Sequence, residues 1–276
     1  MTVAGLTGPD AREPEAGALS GAGGSSAPAA CGIAVMAKAS SPGRTKTRLV
    51  PPLTFEEAAD FNTAFLRDIA ARLVDLDGVA GAMAYGPPGP EAEAFFAATV
   101  PPAIALIECW HGDFGACLLA AIEGLLARGH AAAVVLNADS PTLPAALLQQ
   151  TARVLAEPGD RAVLGPSSDG GYYLLGLKRP HARLFERVDW STDRVAAQTL
   201  ERAAEIGLPV HVLPTWYDVD DADALRILHG ELFGGRSFDP ALPPGEARHS
   251  RDLLGRLLAG TDLAGRIGLE DREAQA

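Results

Sequence analysis

Short apolar runs of strand length alternate with longer amphipathic segments along most of this chain, and that alternation leaves few architectures open. Residues 131–136 are the plainest run, six apolar side chains in succession, as expected of a strand buried on both faces of a parallel sheet. Residues 33–37, 79–85, 104–108, 162–165, 172–177 and 210–213 supply further strand candidates. Between the first two, Thr54 and Glu57 spell a T-x-x-E capping box, and Phe61, Phe65, Ile69 and Leu73 follow at helical spacing, which predicts a helix over 55–74. Further helices are expected over 91–98 and 116–128, from the Pro-Thr-Leu-Pro segment to about 156, and from a Ser191 cap to about 206. A short helix with Leu225 and Leu228, capped by Asp220 or Asp221, and one near 250–259 complete the series. Strands regularly separated by helices, with no internal repeat, predict an α/β chain: a three-layer α/β/α sandwich with a mostly parallel sheet.

In such a sheet, ligands bind where loops leave the carboxyl ends of the strands. The loop after the first strand is unusual in composition. Lys38, Arg44, Lys46 and Arg48 fall within eleven residues around a Ser-Ser-Pro-Gly turn ending at Gly43, in a chain whose formal net charge is −12. Positive charge concentrated against a negative background points to an anionic guest. Arg grips phosphate through two parallel hydrogen bonds and Lys supplies a mobile point charge, so the loop suits a polyphosphate. It lacks the G-x-x-x-x-G-K-[ST] pattern of a P-loop and the G-x-G-x-x-G of a dinucleotide fold.

Three acidic positions could face this loop. Asp139 follows the central apolar run, Asp169 sits in Ser-Ser-Asp-Gly-Gly, and Asp218 and Asp220 flank Val219 near the last helix. If the first and fourth strands are neighbours, Asp139 lies across the crevice from the basic loop. Asp139 with Asp220, or with Asp218, would then suit Mg²⁺, which takes one or two carboxylates plus phosphate oxygens and water. Asp218-Val219-Asp220 equally suits a helix cap. Gly170 and Gly171 allow positive φ and close approach of a substrate, or a simple hairpin turn. Tyr172 and Tyr173 alternate faces, so one is expected in the core and the other at the site's edge. His111 receives no role, and no Ser-His-Asp or Cys-His set has the context for covalent hydrolysis.

Other classes are disfavoured. No run approaches the roughly 18 apolar residues of a membrane span, and no basic-then-apolar leader is present, so a cytoplasmic location is expected. Cys31, Cys109 and Cys117 are odd in number without a C-x-x-C pair, against a disulfide framework or zinc site. Strong acidity disfavours nucleic acid as a partner. Residues 1–30, rich in Ala, Gly, Ser and Pro, read as a disordered leader, 31–232 as the folded domain, and 233–276 as a partly helical C-terminal extension.

Taken in order, AVMAKASSPGRTKTRL, NADSPTLP, LGPSSDGGYYLLGL, WST and YDVDD resemble the DUF2064 family of the GT-A superfamily of nucleotide-diphospho-sugar transferases, over about residues 31–229. The first segment is also similar to the KxRL-type loop of the 2-phospholactate guanylyltransferases. The resemblance implies a GT-A fold, a nucleotide donor, a small-molecule acceptor and Mg²⁺ or Mn²⁺. It implies donor-phosphate contacts for Lys38, Lys46 and Arg48, extended by Gly43 and Arg44 of the same loop. It implies a metal role for Asp139 with a second for Asp220, and an acceptor side at Asp169, Gly170 and Gly171. Lys46 and Asp139 are the expected catalytic pair. Where the family often reads Q-x-x-G-D-L-G-x-R, this chain has Cys109 to Cys117, CWHGDFGAC, without the Gln and the Arg, so selection through this loop is not carried over. The expected activity is nucleotidyl transfer with release of pyrophosphate; glycosyl transfer from a nucleotide sugar and nucleotide binding without turnover are the alternatives.

Overall fold

The structure, a computed structural model, describes residues 30–269. The expected leader lies outside these apart from Ala30, as does the end of the C-terminal extension beyond 269. Seven strands, β1 (Cys31–Ala37), β2 (Val79–Tyr85), β3 (Ala105–Glu108), β4 (Ala132–Leu136), β5 (Ala162–Pro166), β6 (Tyr172–Leu177) and β7 (Val210–Val212), form one sheet in the order β3-β2-β1-β4-β6-β5-β7. All run parallel except β6, antiparallel to both β4 and β5. The five-residue turn 167–171 is too short for a parallel crossover, so β6 must reverse.

The period-two alternation of the strands sorts the core into two layers. Ile33, Val35 and Met83 face α1 (Phe55–Val74), α4 (Ala145–Ala156), α6 (Ala222–Phe233) and α7 (Arg248–Gly260). Ala34, Ala82 and Ala84 face α3 (Phe114–Ala127) and α5 (Val195–Glu205). Large side chains on one face and alanines on the other let α3 approach the sheet closely. A short α2 (Pro90–Thr99) and a single turn α8 (Leu263–Arg266) complete the α-helices of the described residues.

The predicted capping box at Thr54 and Glu57 is present in both directions. Two helix starts differ from expectation. Asp113 caps α3 by accepting from Ala116 N at 2.8 Å, so the helix begins at Phe114, two residues before the expected start. Helix α5 begins at Val195 without a side-chain cap, because Ser191 sits at φ 64° in a separate turn where Thr192 Oγ1 donates to Asp189 O at 2.7 Å. The C-terminal segment packs into the same core through Leu253, Leu254, Leu263 and Ile267. Asp68 of α1 accepts from His249 N, Ser250 N and Ser250 Oγ at 2.6–2.9 Å, satisfying the first turn of α7.

Two features of the topology position the site. β1 and β4 are hydrogen-bonded neighbours in register Val35↔Leu136, so the loops after Ala37 and Leu136 emerge side by side. β6 begins where β4 ends, with Asn137 N donating to Tyr173 O at 2.8 Å, which brings its turn and both tyrosines to the same edge.

Candidate active site

At this edge lies a cavity of about 390 Å³ lined by the basic loop, the Asn137-Ala138-Asp139 segment, Asp220 and both tyrosines. The basic loop is held from below by α1. Asn62 Nδ2 donates to Lys38 O at 3.2 Å and to Ser40 Oγ at 2.8 Å, and Thr63 Oγ1 reaches the same hydroxyl at 2.8 Å. Thr45 Oγ1 donates to Ser41 O, closing a tight turn with Gly43 at φ 74° and Lys46 at φ 52°. That left-handed residue turns the Lys46 side chain inward, where it packs over the Phe65 ring at 5.3 Å.

Lys46 is the centre of the site. Its Nζ lies 2.7 Å from Asp139 Oδ1, 2.9 Å from Asp220 Oδ1 and 2.9 Å from Val219 O, with only 5% of the side chain exposed. Three acceptors exhaust the three donors of an ammonium. Burial alone would lower its pKa, but the charges of Asp139 and Asp220 outweigh burial and raise it, so Lys46 is held charged. For Asp220, burial pushes the carboxyl up, and Lys46 more than offsets it, leaving the pKa below the usual value. Asp139 is raised by burial and by the charge of Asp220, against the pull of Lys46. Arg48 Nη1 approaches Asp220 at 3.4 Å from an exposed position. The 216–220 segment is tied to β4 by Val219 N donating to Asp139 O at 2.8 Å.

Asp218, set aside in the sequence reading in favour of Asp220, faces the other way. It accepts from Asn137 Nδ2, Ser140 Oγ at 2.8 Å and Ser167 Oγ at 2.9 Å. Burial first, and the Asp139 charge second, push its carboxyl up to about 6, against the hydrogen bonds from the two serines. Asp221, not Asp220, caps α6 by accepting from Ala224 N at 2.8 Å. A carboxyl whose pKa is higher folded than unfolded penalises folding once it ionises. Its contribution therefore falls as pH rises from about 4 to about 6 and is constant above. Asp218→Asn should remove that slope: denaturation measured from pH 4.5 to 7.5 should fall more steeply for the parent than for the variant, and equal slopes would remove Asp218 as the cause.

Of the other expected residues, Lys38 and Arg44 stand exposed at the cavity. Gly43 shapes the loop and does not line the cavity. Asp169, Gly170 and Gly171 do not line it either: Asp169 Oδ1 accepts from Gly171 N at 2.9 Å, closing its own turn beside Asp218. Gly170 is at φ 89°, and a Cβ there would overlap the Asp193 carbonyl. Tyr173 is the core tyrosine, fully buried with its hydroxyl donating to Pro214 O at 3.0 Å. Tyr172 edges the cavity, and its hydroxyl is buried without a hydrogen-bond partner, as is Asn137 Oδ1. Two orphaned polar atoms in one cavity lining are what a polar ligand would satisfy.

The donor set fits a hard divalent cation in chemistry: the carboxylates of Asp139 and Asp220, both within 3 Å of the Lys46 ammonium, and the unpaired Asn137 oxygen share one lining. Among the described residues no group of three or more His, Cys, Asp or Glu could hold a metal ion, so phosphate and water oxygens would have to supply the other ligands. No helix of the described residues is long and apolar enough to cross a membrane.

A protein-family model, "Uncharacterized protein conserved in bacteria (DUF2064)", matches residues 60–192. No curated protein matches the chain. Among solved structures, a candidate nucleotide-diphospho-sugar transferase from Desulfovibrio desulfuricans G20 is 25% identical, covering 84% of this chain and 96% of its own, with a TM-score of 0.73. CMP:2-keto-3-deoxy-manno-octonic acid synthetase with CTP is 13% identical over 75% of this chain and 99% of its own, at a TM-score of 0.48. A cytidylyltransferase from Leptospira borgpetersenii is 11% identical over 85% and 96%, at 0.47. The family match takes in Asn137, Asp139 and Tyr172 but neither the basic loop nor Asp220. Over residues 60–192 the chain matches the DUF2064 family model, and its fold is similar to that of the Desulfovibrio nucleotide-diphospho-sugar-transferase candidate.

Proposed function

We propose that this chain is a divalent-metal-dependent transferase using a nucleotide donor, with nucleotidyl transfer as the reaction. The observation that carries the reading is one cavity that gathers Lys38, Arg44, Lys46 and Arg48 opposite Asp139 and Asp220. A nucleoside triphosphate brings about four negative charges and releases pyrophosphate as its α-phosphorus is transferred, and four cationic side chains match that load. Lys38, Arg44 and Arg48 hold the triphosphate and draw off charge as the bond to pyrophosphate breaks. Lys46 reaches the donor by giving up one of its three internal acceptors. Asp139 and Asp220 would hold Mg²⁺ or Mn²⁺, which when bound neutralises phosphate charge and orients the phosphoryl group. The acceptor, a phosphate or hydroxyl, attacks the α-phosphorus in line with the departing pyrophosphate.

Glycosyl transfer from a nucleotide sugar is the second reading, favoured by the description of the Desulfovibrio neighbour. A thermal-shift panel of nucleoside triphosphates and sugar nucleotides, with and without Mg²⁺ or Mn²⁺, separates the two. A ligand at a hundred times its dissociation constant adds about 2.7 kcal/mol, worth several degrees in a domain of this size. A metal-dependent shift with a triphosphate supports nucleotidyl transfer, and one with sugar nucleotides alone supports glycosyl transfer. No shift with any of them removes the nucleotide donor.

A further inference from the structure

One end of the cavity differs in kind from the rest. Its lining from β2, β3, α3 and their loops consists of Ala84, Gly86, Cys109, Trp110, Phe114 and the sulfur and methyl groups of Cys117 and Leu118. None of these side chains carries an oxygen, and only the indole carries a nitrogen. Trp110 is 56% exposed and Phe114 50%, although both face a cavity.

Their positions are nevertheless fixed. The indole lies against the backbone at the end of β2, so closely that a Cβ on Gly86 would come within 2.6 Å of it. Cys109 Sγ donates to Cys117 O at 2.8 Å and His111 N donates to Cys117 Sγ at 3.3 Å, tying the loop to the first turn of α3. Phe114 stands edge-on to Trp190 with ring centroids 5.4 Å apart. An ordered aromatic face left open to a cavity is a platform without its guest.

The sheet order says what the guest is. Trp110 follows β3 and the cationic loop follows β1, two strand spacings away, about 10 Å. That is the reach of a nucleoside from its phosphates, in the direction away from Asp139. Resting on the nucleotide reading above, we propose that Trp110, flanked by Phe114, stacks on the nucleobase of the donor and recognises it as a ring and not by hydrogen bonds from side chains to its edge. Stacking accepts every base, because each has a π-face. Donor selection among bases is therefore weak.

The test is a titration of ATP, GTP, CTP and UTP, with inorganic tripolyphosphate as the baseless probe, into the parent, Trp110→Ala and Trp110→Phe, followed by calorimetry and by tryptophan fluorescence. Trp216 is fully buried and Trp190 packs against Phe114, so the fluorescence change present in the parent and absent in Trp110→Phe is the part that reports stacking on Trp110. The expected result is four affinities within about tenfold of one another, each weakened about 10- to 100-fold in Trp110→Ala and largely kept in Trp110→Phe, with tripolyphosphate unchanged. Nucleotides that bind Trp110→Ala as tightly as the parent overturn the inference and leave the nucleotide reading standing. One base favoured more than a hundredfold also overturns it. Failure of all four nucleotides to bind the parent removes the nucleotide reading and this inference with it.

Discussion

Lys46→Met should cost about 3 kcal/mol of folding stability and at least about 100-fold in transfer rate, the largest combined effect expected of any single change at the site. The methionine keeps the length of the stem over Phe65 and adds no strain at φ 52° beyond that of lysine. What it removes is the ammonium to which Asp139, Asp220 and Val219 O all direct lone pairs. Stripping one partner from a buried ion pair costs about 3–5 kcal/mol because the other charge stays behind without compensation. The lower end applies here, since Asp139 and Asp220 keep 35% and 25% of their side chains exposed to water. Two like charges are then left facing each other, and Mg²⁺ should restore more stability to the variant than it adds to the parent. Urea denaturation with and without Mg²⁺ measures both quantities. A loss under about 1 kcal/mol with no preferential rescue would mean that the ammonium is not the counter-ion of the pair.

The strands are legible in the sequence and the candidate site only in part, for physical reasons. Strand and helix periodicities are local properties, so the spans of α1, β2 and β6 can be read directly from spacing and capping residues. The pairing of β1 with β4 is not local and enters the sequence analysis only as a condition, because an apolar run buried on both faces calls for helices above and below it and does not choose a neighbouring strand. Lys46 was legible as a cation at a strand end but not as an internal counter-ion. Its left-handed backbone, which turns it inward, has no signature in a Thr-Lys-Thr triplet. The acceptor role drawn for Asp169, Gly170 and Gly171 rested on the freedom of glycine. In the fold that freedom serves the turn and its contact with the Asp193 carbonyl. The sequence offers Asp218 only as an alternative to Asp220 and gives Asn137 no role, because their bond to each other spans 81 positions, which no local pattern encodes. Trp110 could have been noticed as an aromatic residue in a polar loop, and its exposure gives it meaning only beside the cavity.

Asp139→Asn should separate chemistry from folding more cleanly than any other change. Asparagine preserves the shape of the side chain, and the backbone carbonyl at this position keeps its bond from Val219 N at 2.8 Å. Lys46 retains Asp220 and Val219 O at 2.9 Å each, so its charge remains compensated. Stability should therefore change by about 1 kcal/mol or less, the net worth of an ordinary hydrogen bond. The transfer rate should fall about 100- to 1,000-fold, because one of the two carboxylates that would hold the divalent cation is gone where charge develops in the transition state. The Mg²⁺ concentration for half-maximal rate should rise in parallel, whereas affinity for a metal-free nucleotide should hold or improve, since a negative charge opposite the donor phosphates has been removed. Rate, metal midpoint and nucleotide affinity measured on one preparation give three independent readings. A variant as active as the parent, with the same metal midpoint, would take Asp139 out of the reaction and leave it only the task of holding Lys46 in place.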